Sequence, residues 1–202
     1  MTLKAFLVKA QMEDFKLKNM KNYSEEILKE ISTVLNKINL EEVKVLIDLI
    51  QNSNTIVTCG AGKVGMAIRG FSMRLGHFGY KSFHIGDTTL PSIGEGDLFI
   101  VASGSGETQT IYDLTKIAKS NKAKVFAITS NLKSRIGSLA DASLLLNAPS
   151  KTKAVEGFSS IQPMTTLNEQ CLTILFDSIV LNIMDATGET HDTMWNRHSN
   201  LE

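Results

Sequence analysis

Two glycine-rich stretches hold residues that could cradle a phosphate. The first, TCGAGKVG (Thr58–Gly65), fits G-x-G-x-x-G at Gly60, Gly62 and Gly65, directly after a β-branched run. In a dinucleotide-binding unit these glycines give the tight turn, the close backbone approach to pyrophosphate and the helix packing contact, and an acid about 20 residues on binds a ribose hydroxyl. Asp87, at the end of the next strand-like run, stands at that spacing. The second stretch, SGSGET (Ser103–Thr108), also follows a strand-like run and opens a helical pattern. The hydroxyls of Ser103, Ser105 and Thr108 and the free N–H groups of such a turn converge on the positive end of the following helix, which makes a socket for one phosphate. Each contact is worth roughly 0.3–2 kcal/mol, so a cluster can hold a phosphate monoester without a Lys or Arg clamp. The alternative is an N-cap turn rich in Ser and Gly. A nucleophile elbow does not fit, because Val101 lies where G-x-S-x-G needs its first glycine. Against the dinucleotide reading, a long helical stretch precedes the first loop and no second domain follows to hold a substrate against a nicotinamide ring.

Such loops need a sheet to position them. Runs at 55–59 (TIVTC), 81–85 (KSFHI), 97–102 (DLFIVA), 124–129 (KVFAIT) and 143–147 (SLLLN) alternate with helix-length segments. That pattern predicts an α/β fold with a five-stranded parallel sheet, doubly wound, with helices on both faces. Ahead of it, Ile27, Ile31, Val34 and Leu35, then Val43, Leu46, Ile47 and Ile50, recur at helical spacing, which gives two extra N-terminal helices joined near Asn39. A long helix is expected from about Met164 to Met184, started by Pro163 and ended by Gly188. The closing residues carry the only Trp, two His and Arg197, and are expected to dock on the body. The longest loop is expected at 148–160, where it would lie over a site.

The 202 residues suit one domain, and 43% apolar with 21% charged residues is a globular composition. Lys plus Arg balance Asp plus Glu at 21 each, so the chain lacks the broad basic face of a nucleic-acid binder and any anion it takes is small. Cys59 and Cys171 match no zinc spacing and read as reduced core residues. Lys9 interrupts the only stretch like a signal peptide, and no run approaches the ~20 apolar residues of a membrane span. A soluble, cytoplasmic protein with no nucleic-acid or membrane partner is expected.

With both loops in place the chain resembles the sugar isomerase (SIS) domain family, and within it the 6-phospho-3-hexuloisomerases. The resemblance is carried by GAGKVG, MRLGHFG (Met73–Gly79), GDTTLP (Gly86–Pro91), EGDLFIVASGSGET, VFAITSN, SIQPMTTLNEQ (Ser160–Gln170) and the closing RHSNLE. It covers 23–202 as a single domain, a flavodoxin-like three-layer sandwich with a docked tail, and leaves 1–22 as an N-terminal extension. It implies interconversion of 6-phospho-3-hexulose and fructose 6-phosphate through a cis-enediol, with no metal or redox cofactor. On the same resemblance Ser103, Gly104, Ser105 and Thr108 hold the phosphate, Gly62, Lys63 and Ser130 add substrate contacts, Glu169 is the base, and His198 assists in the site of the same or a neighbouring subunit. Taken alone, Glu169 reads as a solvated acid stabilising a helix N-terminus and His198 as a packed or surface residue. The chain departs from the family pattern at Lys63 (for Arg), Val64 (for Ser), Thr165 (for Gly) and Asn168 (for an aromatic or similar residue). These departures bear on which sugar phosphate is taken more than on phosphosugar binding. Arg74 and His77 read as core or interface residues. Exposed helical faces and the tail suggest a homo-oligomer, a dimer or tetramer with shared sites.

Overall fold

A computed structural model describes residues 20–150, 155 and 158–201. Helices α1 (Met20–Leu35) and α2 (Leu40–Gln51) come first. Asn39 separates them because its side chain accepts from the Glu41 N–H at 3.0 Å and starts α2, and Glu41 and Glu42 favour that positive helix end. There follow β1 (Ile56–Cys59), α3 (Gly62–His77), β2 (Ser82–His84), β3 (Leu98–Ala102), α4 (Gln109–Ser120), β4 (Lys124–Thr129), α5 (Arg135–Leu139), β5 (Ala142–Leu145), α6 (Thr166–Thr187) and α7 (His191–Trp195). The strands pair in parallel in the order β2-β1-β3-β4-β5. The expected doubly wound sheet is present, with β2 trimmed to three residues and β5 placed slightly earlier than its apolar run.

Strand side chains alternate between two cores, as a period of two requires. Ile56, Leu98, Ile100, Phe126, Ile128 and Leu144 face α1, α2, α3 and α6, whose Leu46, Ile50, Ile68, Phe71, Phe176 and Ile179 complete that layer. Val57, Cys59, Phe99, Val101, Val125 and Ala127 face the other way, onto Ile111 and Ala118 of α4 and Ile136 of α5. The result is the three-layer sandwich. In the larger layer Phe71 and Phe176 stack at 4.4 Å between ring centroids, which fixes α3 against α6.

Two acids tie the N-terminal helices to distant backbone. Glu30 of α1 is buried and accepts from Ser160 Oγ (2.7 Å), Ile161 N (2.7 Å) and Gln162 Nε2 (2.9 Å). Burial pushes its carboxyl up, yet the bonds from Gln162, Ser160 and Ile161 outweigh that and hold it below its ordinary value. Glu42 of α2 accepts the Leu145 N–H of β5 at 2.8 Å.

Helix α6 starts two residues later than expected and ends at Gly188, whose φ of 71° suits glycine and whose N–H returns to Met184 O at 2.9 Å. One expectation needs correcting: at 22 residues, α6 is long and apolar enough to cross a membrane by length and composition. Nine of its residues, from Leu167 to Ile183, are buried in the fold, while Ile174 and Leu181 are exposed. The tail is docked, because Arg197 donates to Glu189 at 2.9 Å through both terminal nitrogens and to His77 O at 3.1 Å. Residues 1–19, most of the proposed extension, lie outside the described residues, and α1 begins at Met20. The centre of the 148–160 loop likewise lies outside them.

Candidate functional site

The strand order reverses direction between β1 and β3, so the loops leaving their C-terminal ends diverge and open a crevice, the place where parallel sheets take ligands. Both glycine stretches lie there. In the first, Gly62 adopts φ 58°. Gly60 and Gly65 serve packing, since a Cβ on Gly65 would stand 2.6 Å from Gly60 O. Asp87, which matched the ribose acid by spacing, is already engaged: Oδ1 accepts from Arg69 at 3.0 Å and Oδ2 from the His84 N–H at 2.8 Å. His84 also lies 2.8 Å from Thr58 Oγ1, and burial, followed by the charge of Arg69, pushes its imidazole below the ordinary value. This cluster braces β1 against β2.

The SGSGET loop is held from several sides. Ser103 is buried, and its Oγ accepts from the Gly106 N–H at 3.2 Å and lies 3.4 Å from Thr108 Oγ1. Ser105 Oγ accepts from the Glu107 N–H at 3.2 Å. Ser130, at the end of β4, donates its N–H to Gly104 O at 3.0 Å. Gly106 has φ 69°, and a Cβ there would collide with Ser134 Oγ. On the outer side Glu107 binds Arg135 through Oε2 at 2.6 Å and the Arg135 N–H through Oε1 at 2.9 Å, while the guanidinium lies over the Tyr112 ring. Thr108 is the N-cap of α4 and makes no side-chain capping bond, so its hydroxyl is directed to the loop rather than to the helix.

The first turn of α6 faces this socket. Met164, with φ 57°, and Thr165 lead into it, a left-handed turn that costs of order 1–3 kcal/mol in a non-glycine residue. Thr165 Oγ1 donates to Glu169 Oε1 at 2.9 Å, and Glu169 Oε2 lies 3.2 Å from Lys63 Nζ on the first turn of α3. The carboxylate side chain is 15% exposed and the ammonium partner 62%. Asn168 is buried and donates Nδ2 to Ser130 Oγ at 2.8 Å.

Gly62, Lys63, Ser103, Gly104, Ser105, Thr108 and Glu169 line one cavity of about 280 Å³, together with Met164, Thr165 and Asn168. Seven of the nine residues singled out in the sequence therefore share a cavity. Ser130 lies beneath it, fully buried and linked through Asn168. His198 lies elsewhere, in a cavity of about 220 Å³ with Arg74, His77 and Trp195, its ring 4.8 Å from Trp195 and 5.1 Å from His77. Within one chain His198 and Glu169 do not share a cavity. A groove of about 400 Å³ between α3 and α6 separates them and has Lys63 and Glu169 at one end and Arg74 at the other. Thr165 and Asn168 were recognised in the sequence only as departures from a pattern. The spacing Thr165 to Glu169, one helical turn, was the available sign of the bond between them.

The arrangement offers hydroxyls and helix-end N–H groups for a dianion, a carboxylate oriented by Thr165, and a cation beside it. The SIS domain model matches residues 49–174. The 3-hexulose-6-phosphate isomerase of Bacillus subtilis (strain 168) is 38% identical over 89% of this chain and 97% of its own. The enzyme of the same name from Mycobacterium gastri is 36% identical over 86% of each chain. A crystal structure from Methanococcus jannaschii, for which a 3-hexulose-6-phosphate isomerase function was inferred, superposes with a TM-score of 0.76 at 29% identity, covering 92% of this chain and 100% of that one. Because the matched segment runs from α2 across every strand of the sheet into α6, and curated relatives above 30% identity align over nearly their whole length, the chain belongs to the SIS domain family, in the branch that includes these isomerases.

Proposed function

We propose that the protein is a phosphosugar isomerase interconverting 6-phospho-3-hexulose and fructose 6-phosphate. The observation that carries this reading is the single cavity joining the SGSGET socket to the Glu169 carboxylate. The names of the relatives in Bacillus subtilis and Mycobacterium gastri support the substrate. The phosphate sits on Ser103, Gly104, Ser105 and Thr108, which sets the reacting carbons at a fixed distance from the loop. Glu169 takes the proton from C2 of the 3-hexulose while O3 gains one, leaving a cis-enediol. The carboxyl then returns its proton to C3 as the O2 hydroxyl gives up its own and C2 becomes the carbonyl. The proton count is unchanged, and a positioned carboxylate supplies roughly 10²–10⁴-fold of the rate. Lys63, beside Glu169 at rest, is drawn to the incoming dianion.

His198 acts in this proposal from a second copy of the chain, with the α3–α6 groove as the face between copies. Met66, Met73 and Leu181, exposed on those two helices, supply the apolar surface for a homo-oligomer. The test is incubation with fructose 6-phosphate in deuterated water. Deuterium should enter the carbon-bound position with the appearance of a hexulose phosphate, and Glu169→Gln should abolish exchange while leaving binding largely intact. Tight binding without exchange by the native protein would make it a phosphosugar-binding protein instead, and near-normal turnover by the variant would remove Glu169 from the role of base.

A further inference from the structure

Phosphate binding and proton transfer leave one polar group of the cavity unused. Asn168 sits on the first turn of α6, one residue before Glu169, and is only 2% exposed. Taking an amide out of water is unfavourable unless its polar atoms find partners. Among the described residues the side chain makes one hydrogen bond, from Nδ2 to Ser130 Oγ at 2.8 Å. That bond fixes the plane of the amide and leaves Oδ1 as an acceptor without a donor among the described residues. Oδ1 is turned to the phosphate loop, 3.2 Å from where a Cβ on Gly104 would stand. The absence of a side chain at Gly104 is what lets the amide rise beneath the loop and border the cavity. The acceptor thus lies between the phosphate socket and the base. A six-carbon 6-phosphate bound to both would pass its C4 and C5 hydroxyls through that space.

We propose that Asn168 is a specificity-determining residue whose Oδ1 accepts a hydrogen bond from a substrate hydroxyl on C4 or C5, so that the site prefers a hydroxylated sugar phosphate to one lacking that group. The proposal deepens the isomerase reading and rests on it. A buried acceptor that the protein itself leaves unmet discriminates because the analogue without the hydroxyl leaves it unpaired when bound.

The experiment compares fructose 6-phosphate with its 4-deoxy and 5-deoxy analogues, using kcat/KM for deuterium exchange and dissociation constants, in the native protein, Asn168→Leu and Ser130→Ala. The native protein should prefer fructose 6-phosphate to one of the two analogues by about tenfold or more, beyond the preference of Asn168→Leu for the same pair. Comparing the ratios between proteins cancels intrinsic differences among the sugars, such as their open-chain fractions. Ser130→Ala breaks the same internal hydrogen bond and should keep most of the discrimination, whereas a merely structural Asn168 predicts equal effects from both variants. Equal ratios in the native protein and Asn168→Leu for both analogues overturn the proposal. If the leucine variant does not fold, absence of any preference in the native protein does so. No exchange with any of the sugars by the native protein would count against the isomerase reading, and the ratios of dissociation constants would still decide the role of Asn168.

Discussion

Replacing Glu30 with glutamine tests whether α1 holds the turn that leads into α6 through one carboxylate. The native side chain accepts three hydrogen bonds, from Ser160, Ile161 and Gln162, over a sequence distance of at least 130 residues. A hydrogen bond to a charged group is worth about 1.5–3 kcal/mol, and the amide keeps one oxygen while turning an N–H toward donors that need an acceptor. A loss of about 3 kcal/mol at neutral pH is expected, or roughly 6–12 °C in Tm for a chain of this length. The pH dependence follows from the lowered carboxyl. Its folded-state value lies below the ordinary 4.5, so the stabilisation is fully present above 4.5 and is lost as the pH falls through the folded value. Thermal or urea unfolding of both proteins between pH 7 and pH 3 measures this. The gap should be widest at neutral pH and close in acid. A gap below about 0.5 kcal/mol at pH 7, or one that persists undiminished in acid, would refute the argument that an ionised acceptor holds this junction.

Gly106→Ala should cost ~2–5 kcal/mol, since it combines a left-handed φ with a collision at Ser134, and should weaken binding of inorganic phosphate by the same loop; a denaturant midpoint close to native would show that the loop can shift without loss. Cys59 and Cys171, whose thiols burial pushes up to about 12, should resist a thiol reagent at pH 8 in the folded protein and react together on unfolding; rapid labelling of either under native conditions would contradict their placement in the core.

The sheet was legible because each strand is a short β-branched or aromatic run whose alternate residues, such as Ile100 and Val101, feed opposite cores. The boundaries of β2 and β5 were less so, because Ile85 and Leu146 have strand-like character but lie past the residues paired in register. The socket was legible from local spacing, since a strand end, a run of Ser and Gly and a helix start are contiguous in the chain. Spacing misled at Asp87, where a match to a dinucleotide site conceals an acid already bound to Arg69 and His84. It misled again at Gly60 and Gly65, which the backbone needs for close packing whatever the ligand. Glu30 could not be found this way. On a helix of mixed polarity it resembles a solvent-facing glutamate, and only tertiary folding brings it to residues 160–162. The separation of His198 from Glu169 was hidden for the same reason, because it depends on where α7 lies across the C-terminal end of α3.

The bond from Glu42 to the Leu145 amide has a bearing on how copies of this chain can meet. β5 is the last strand of the sheet, and the outward amides of a terminal strand are a template on which another chain can add itself. At Leu145 that template is occupied by a carboxylate from within the same molecule, which also places a negative charge beside the exposed backbone. An incoming strand would have to displace Glu42 before it could form a ladder there. The sheet is thereby guarded at this point of the β5 edge against extension by an added strand.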